Sequence, residues 1–191
     1  MSPRTKEQID KIKAERKTQI TEVALQLFAT NGYNPTSIDQ IANAAGISKG
    51  LVYNYFDSKE NLLREAFDQG FKEIDQTIAE ADRTDSKEYL KHILNTYFEL
   101  LKDRFLYYKL LMEVSLNVNQ FPFYKDYVAQ RYQEYYQLMT RLLLEIDFPQ
   151  PEQEAKLLTA LFDGIGIQYL IMPDTYPLET YRKILINKYC Q

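Results

Sequence analysis

Cysteine and histidine occur once each in this chain, and glycine (6) and proline (7) are scarce for 191 residues. A single cysteine, Cys190, cannot close an internal disulfide, so a disulfide-stapled scaffold is excluded and a reducing cytoplasm suits the chain. Few glycines and prolines argue against turn-rich β sandwiches and barrels and favour a chain made mostly of helices. His92 has no Asp, Glu or Cys around it at metal-ligand spacing, and Cys190 has no indicated base partner. No metal, cofactor or catalytic constellation is therefore expected, and the protein is not expected to be an enzyme. Long apolar runs are also missing. The most apolar late stretch, Leu161 to Met172, is too short to span a bilayer and carries Asp163 and Gln168. The N-terminal MSPRTKEQIDKIKAERK is charged throughout and lacks the apolar segment of a signal peptide. A cytoplasmic protein without a membrane partner is the expectation.

What is present is globular in composition, with 45% apolar and 26% charged residues. The formal net charge of −4 is unevenly spread. Residues 1–64 hold nine Lys/Arg against seven Asp/Glu, and residues 65–191 hold fourteen against twenty. A head able to approach an anionic polymer and a body that cannot is one reading; two ordinary solvated surfaces is the other.

Helical periodicity dominates. Ile20, Val23, Ala24, Leu27 and Phe28 share one face, and Asn31-Gly32 stops that helix. Asn34-Pro35 forces an extended step, after which Thr36-Ser37 offers hydroxyls to cap a short helix with Ile38, Ile41, Ala42 and Ala45 on its buried side. Gly46 breaks it, and Ser48 caps a third short helix carrying Leu51, Val52, Tyr55 and Phe56. Asp57 or Ser58 caps a fourth. Beyond Asp82–Asp85 come further helical stripes, one through Leu90–Leu101 and a shorter one from Phe105 to Leu116. Others run through Val128–Ile146, Leu158–Met172 and Leu178–Tyr189. No stretch alternates with period two, so the spacing predicts an all-α fold of about nine helices. Residues 1–64 form a head and 65–191 a body.

The chemistry is concentrated in TSIDQIANAAGISKGLVYNYFDSKENLL, residues 36–63. Two short amphipathic helices joined at Ala45-Gly46-Ile47 are what a helix-turn-helix requires: the first braces across a DNA backbone, and the second presents its N-terminal residues to the major groove. Ser48, Lys49 and Gly50 are small or cationic at that tip, where a bulky apolar residue would obstruct the groove. Thr36, Ser37, Tyr53, Tyr55 and Lys59 carry donors suited to phosphate oxygens, and the helix N-termini at 37 and 48 add N–H groups and a favourable dipole. A pair of ordinary core helices would show much of the same pattern.

A helix ending NGY followed by T-S-I-x-x-I-A-x-x-A-G-I-S-K-G-x-V-Y-x-Y-F-x-S-K-E-x-L-L resembles the N-terminal signature of the TetR family of bacterial transcriptional regulators. The match runs without a gap from about Ile20 to Leu63. The resemblance implies a three-helix DNA-binding head on a helical ligand-binding and dimerising body. Double-stranded operator DNA would be the partner. Residue by residue, it places Thr36 and Ser37 at the start of the bracing helix and Gln40 on its exposed side. Ser48, Lys49 and Gly50 open the recognition helix, with Val52, Tyr53 and Asn54 following. Tyr53, Tyr55 and Lys59 fall at phosphate-contacting positions. Lys49 reads a guanine edge, contacts a phosphate or is simply a solvated lysine.

The same resemblance implies a homodimer built on the last two long helices, about 152–171 and 177–189, with Leu161, Gly164, Ile165, Gly166 and Leu185 at the interface. The glycines there would permit close approach of a partner helix or a ligand, or tight packing within the subunit. Thirteen of the sixteen tyrosines lie beyond residue 64, where similar proteins surround an effector cavity. Tyrosine suits a pocket that takes an apolar body and still offers a hydroxyl. Tyr97, Tyr108, Met112, Tyr132, Tyr136 and Phe162 are the expected lining, and a neutral or cationic aromatic or amphipathic molecule the expected effector. Three functions compete at this point: an effector-released repressor, an architectural or division-control DNA-binding protein, and a helical enzyme with an accidental motif.

Overall fold

A computed structural model describes residues 5–190. Those residues form nine α-helices, one short 3₁₀ turn (Val118–Gln120) and no strand. In chain order the helices are α1 (Lys6–Asn31), α2 (Ile38–Ala44), α3 (Lys49–Tyr53), α4 (Lys59–Ala79), α5 (Ser86–Asp103), α6 (Phe105–Leu116), α7 (Pro122–Glu145), α8 (Pro151–Ile171) and α9 (Leu178–Cys190). Among the described residues, no helix is long and apolar enough to cross a membrane.

The chain divides into two compact units, the first ending at Phe71 and the second beginning at Lys72. The division falls within α4. The opening turns of that helix, with Leu62, Leu63, Ala66, Phe67 and Phe71 buried, go with the first unit. The boundary expected from the sequence, residue 64, lies in the same helix.

In the first unit, α1 starts earlier than its apolar stripe requires. Thr5 and Gln8 form a reciprocal capping box that satisfies two backbone donors. The helix stops at Gly32, whose φ of 88° is open to a residue without a Cβ. Its buried face, Ile20, Ala24 and Phe28, lies on the side of α2, where Ile38, Ile41 and Ala42 are buried, and α2 in turn packs on α3, where Val52 is buried. Gly46 turns α2 into α3 with a φ of 67°, a left-handed conformation that strains other residues.

In the second unit, α7 packs chiefly on α8 and α5 on α9. Leu90, Leu94, Phe98 and Leu101 of α5 meet Leu142 and Leu143 of α7, Leu158 and Ile165 of α8, and Leu185 and Tyr189 of α9 in one core. Proline stands at the first position of both α7 and α8, where a missing N–H costs nothing.

Candidate nucleic-acid interface

The first unit builds an exposed tip on a rigid two-helix frame. Ser37 caps α2: its hydroxyl accepts from the Gln40 N–H at 3.2 Å, and the Gln40 side-chain oxygen accepts from the Ser37 N–H at 2.7 Å. Ser48 caps α3 by accepting from the Leu51 N–H at 3.2 Å. The hydroxyls of Ser37 and Ser48 are therefore used in shaping the helix starts. The amide NH2 of Gln40 remains to face outward from α2, a side chain in the exposed class. Lys49, Gly50, Tyr53 and Asn54 are exposed around α3, with Tyr53 unusually open for a tyrosine at 46%. Gly50 has open space where a Cβ would stand.

Three expected contact residues take other roles. Thr36 is buried, and its hydroxyl donates to the carbonyls of Gly32 (2.8 Å) and Leu27 (3.3 Å), tying the α1–α2 loop to the end of α1. Val52 is fully buried and anchors α3 to the core. Neither side chain is available to DNA, because each is consumed by the fold of the head. Lys59 is turned inward. Its ammonium donates to the carbonyls of Tyr33 (2.9 Å), Thr36 (2.9 Å) and Asn34 (3.2 Å) and sits 4.3 Å from the centre of the Tyr33 ring. An ammonium has three protons, and three carbonyls take them. Partial burial lowers its pKa, as expected for a cation drawn out of water. Tyr55 is half-buried, its ring 6.4 Å from that of Phe56.

Lys49 has a partner that sequence reasoning missed. Its ammonium is 2.8 Å from the Asp39 carboxylate of α2, and that hydrogen bond and charge raise its pKa. Asp39 sits in the first turn of a helix whose N-terminus favours an anion. The signal was the separation of ten residues across the turn, which places the exposed sides of α2 and α3 beside each other.

In the second unit Tyr97, Tyr108 and Tyr132 meet one turn of α8, that of Phe162 to Gly166. Tyr97 of α5 stacks on Phe162 at 4.2 Å and donates its hydroxyl to the Phe162 carbonyl. Tyr132 of α7 donates to the Asp163 carboxylate at 2.9 Å and stacks on Tyr136 at 6.1 Å. Tyr108 of α6 is buried, its hydroxyl 1.9 Å from where a Cβ on Gly166 would stand. Met112 lies in the core. Gly166 thus serves the close approach of a side chain of its own chain.

The expected interface residues divide. Ile165, Gly166 and Leu185 are buried in the chain's own core, which removes them from any surface. Their apolar spacing reported internal packing. Leu161 is exposed and Gly164 partly so, with open space beside it. Leu157 and Ile171 are exposed on the same helix, so 157, 161, 164 and 171 form one surface stripe at helical spacing. On α9, Tyr181 and Ile184 are exposed three residues apart.

Among the described residues, no cluster of His, Cys, Asp and Glu could hold a metal ion. A His92 ring nitrogen lies 2.8 Å from the Thr77 carbonyl. Burial pushes the Cys190 thiol up to about 11, away from the thiolate that nucleophilic chemistry needs.

Residues 20–66 match the family described as bacterial regulatory proteins, tetR family. The HTH-type transcriptional repressor KstR2 of Rhodococcus jostii is 34% identical over 93 residues, 47% of this chain and 45% of that protein. The fatty acid metabolism regulator protein of Bacillus subtilis is 32% identical over 95 residues, 48% of each. The chain spans about half the length of these curated relatives. A crystal structure of a transcriptional regulator from Saccharomonospora viridis in complex with choline is 27% identical, covers 92% of this chain and 95% of that one, and has a TM-score of 0.71. Across residues 20–66, then, the chain is similar to the tetR family of bacterial regulatory proteins.

Proposed function

We propose that the protein is a sequence-specific DNA-binding transcriptional regulator, not an enzyme, acting in the cytoplasm as a two-fold homodimer on a palindromic operator. The observation that carries this reading is the exposed tip of α3. Small, cationic and hydroxyl-bearing side chains (Ser48, Lys49, Gly50, Tyr53 and Asn54) are held on a doubly capped helix pair within the matched segment. In this reading α3 enters the major groove, Lys49 and Asn54 meet base edges or phosphates, and Gln40, Tyr53, Tyr55 and the N-terminus of α2 position the backbone.

A symmetric operator needs a symmetric reader. The apolar stripe Leu157, Leu161, Gly164 and Ile171 on α8, with Tyr181 and Ile184 on α9, is the surface this reading gives to the second copy. Regulation is by a small molecule bound in the second unit, which releases the repressor. The relatives are named a repressor, a regulator of fatty acid metabolism and a regulator in complex with choline, and such a range supports an effector without fixing its identity. The tyrosines gathered around residues 162–166 favour a neutral or cationic aromatic or amphipathic molecule. The test is selection of bound duplexes from a random DNA pool. A palindromic consensus is expected, and a pool with no enriched sequence would overturn the reading.

A further inference from the structure

Asp163 stands out among the carboxylates of the second unit. It is half-buried, it receives one hydrogen bond, from Tyr132 at 2.9 Å, and among the described residues no cation pairs with it. Glu154, half-buried in the same unit, is compensated by Lys188 and Tyr189, and even the exposed Asp75 is held by both terminal nitrogens of Arg131. A carboxylate taken from water with neither a cation nor a full set of donors is unfavourable, and burial accordingly raises its pKa.

Its surroundings are not those of an incidental surface acid. Asp163 and Gly166 are three residues apart on α8 and share a face. Onto that one turn converge hydroxyls from three other helices. Tyr97 of α5 bonds the Phe162 carbonyl, Tyr132 of α7 bonds Asp163, and Tyr108 of α6 reaches the bare backbone of Gly166. The Tyr108 hydroxyl is 4% exposed by residue, lies close to that of Tyr97 but outside hydrogen-bond geometry, and has no partner among the described residues. A buried orphan hydroxyl costs about 1–3 kcal/mol. Both the unpaired charge and the unpaired hydroxyl are thus at one turn of α8, beside two stacked aromatic pairs, Tyr97 with Phe162 and Tyr132 with Tyr136. Burial and the nearby carboxylate hold Tyr97, Tyr108 and Tyr132 in their neutral forms. The cluster therefore presents one negative charge in an aromatic setting. Asp163, Tyr132 and Tyr136 are each only half-buried, so the carboxylate is reachable from solvent.

We propose that Asp163 is the counter-charge of an effector site for an organic cation, a quaternary or protonated amine with an apolar body, with Tyr97, Tyr108, Tyr132 and Tyr136 supplying ring faces and hydroxyls. The cation supplies the compensation that the free protein lacks, and the rings attract its diffuse positive charge through their negative faces. An anionic acyl chain would meet repulsion at this carboxylate. The proposal rests on the reading of the second unit as an effector domain, and it adds the charge and class of the effector.

The experiment is calorimetric titration of the full-length protein with choline and with benzyltrimethylammonium, each beside its uncharged carbon isostere, in wild type and in Asp163→Asn. Asparagine keeps the shape and the acceptor for Tyr132. At least one cation is expected to bind about tenfold or more tightly than its isostere, about 1.4 kcal/mol, and Asp163→Asn is expected to abolish that preference. Tyr136→Leu, at a half-exposed position, should weaken the cation severalfold and leave the isostere unchanged. Equal binding of cation and isostere, no binding of either cation at about 10 mM, a concentration near the weakest worthwhile affinities, or a preference that survives Asp163→Asn would each overturn the proposal. Operator binding is measured in parallel with each cation and with stearoyl-CoA. Release by stearoyl-CoA with no cation preference would overturn the organic-cation site and leave the effector domain standing. If no compound binds or shifts operator affinity, the effector reading falls with it.

Discussion

Replacing Lys59 by methionine separates two roles for one residue. Methionine keeps the length and apolar stem of lysine while removing the ammonium, so the carbonyls of Tyr33, Asn34 and Thr36 lose their shared donor. Hydrogen bonds to a charged group contribute about 1.5–3 kcal/mol each when fully buried. Here the ammonium is only half-buried, and water can rejoin the exposed carbonyl of Asn34. The contact with the Tyr33 ring adds about 0.5–1 kcal/mol at such a site. A total loss of about 2–3 kcal/mol from the head follows. Hydrogen exchange at the amides of α1 to α3 should report it as faster opening of that unit alone. The same variant is then titrated with a specific duplex at several salt concentrations. A phosphate contact carries a slope of about −0.9 in log affinity against log salt. A lysine whose protons are all taken by carbonyls contributes nothing to that slope, so it should be unchanged in Lys59→Met. A slope reduced by about one, with unaltered exchange in the head, would refute the internal role and make Lys59 a phosphate contact.

Asp39→Asn should raise affinity severalfold for all DNA sequences and steepen the salt dependence, since it frees Lys49 and removes a negative charge beside α3; anisotropy titration at two salt concentrations is the check. Gly166→Ala should destabilise the second unit by about 1–3 kcal/mol, because its Cβ would stand 1.9 Å from the Tyr108 hydroxyl. Tyr108→Phe should recover part of that loss in thermal unfolding, whereas Gly164→Ala, with open space beside it, should gain up to about 1 kcal/mol. Leu161→Lys with Ile184→Lys should yield a folded monomer by light scattering, with operator affinity lost, and a dimer that survives both would displace the proposed interface. The Glu154 carboxyl is held below its usual range by Lys188 and by the Tyr189 hydroxyl at 2.6 Å. A depressed carboxylate stabilises the fold above its unfolded pKa of about 4.3, and that stabilisation is lost as pH falls through the folded value. The thermal midpoint should therefore drop as pH falls below about 4.3, and less steeply in Glu154→Gln.

Local chemistry in the head was legible because it is written in adjacent residues. Gly46 at a left-handed turn, Ser37 and Ser48 as caps, and the apolar positions of α2 all depend on neighbours within four residues. Lys59 was not legible. Its partners lie 23 to 26 residues away, in a loop whose carbonyls have no side-chain signature. The pairing of Lys49 with Asp39 spans only ten residues, but it depends on how α2 and α3 pack across their turn rather than on neighbours within one helix. In the second unit, period told which residues face inward but not toward what. Ile165 and Leu185 follow the same spacing as Leu161 and Ile184, yet the first pair is buried in the chain's own core and the second pair is exposed. An apolar side chain carries no mark distinguishing its own core from a partner's. Gly166 looked like a place of close approach, and it is one, but the approaching group is Tyr108 from α6. Asp163 is the clearest omission. A lone acid in an apolar helix reads as an interruption, and its meaning emerges only when Tyr132, Tyr97 and Tyr108 arrive from three other helices.

The most direct test of DNA reading by α3 is methylation interference on a duplex selected from the random pool. Guanine N7 lies in the major groove, so methylating it blocks a side chain at the base edge. Two clusters of interfering guanines are predicted, related by a two-fold axis and centred about one helical turn, 10–10.5 base pairs, apart. Lys49→Ala should relax interference at the same symmetric positions in both clusters. A single cluster, or binding indifferent to major-groove methylation, would contradict the account.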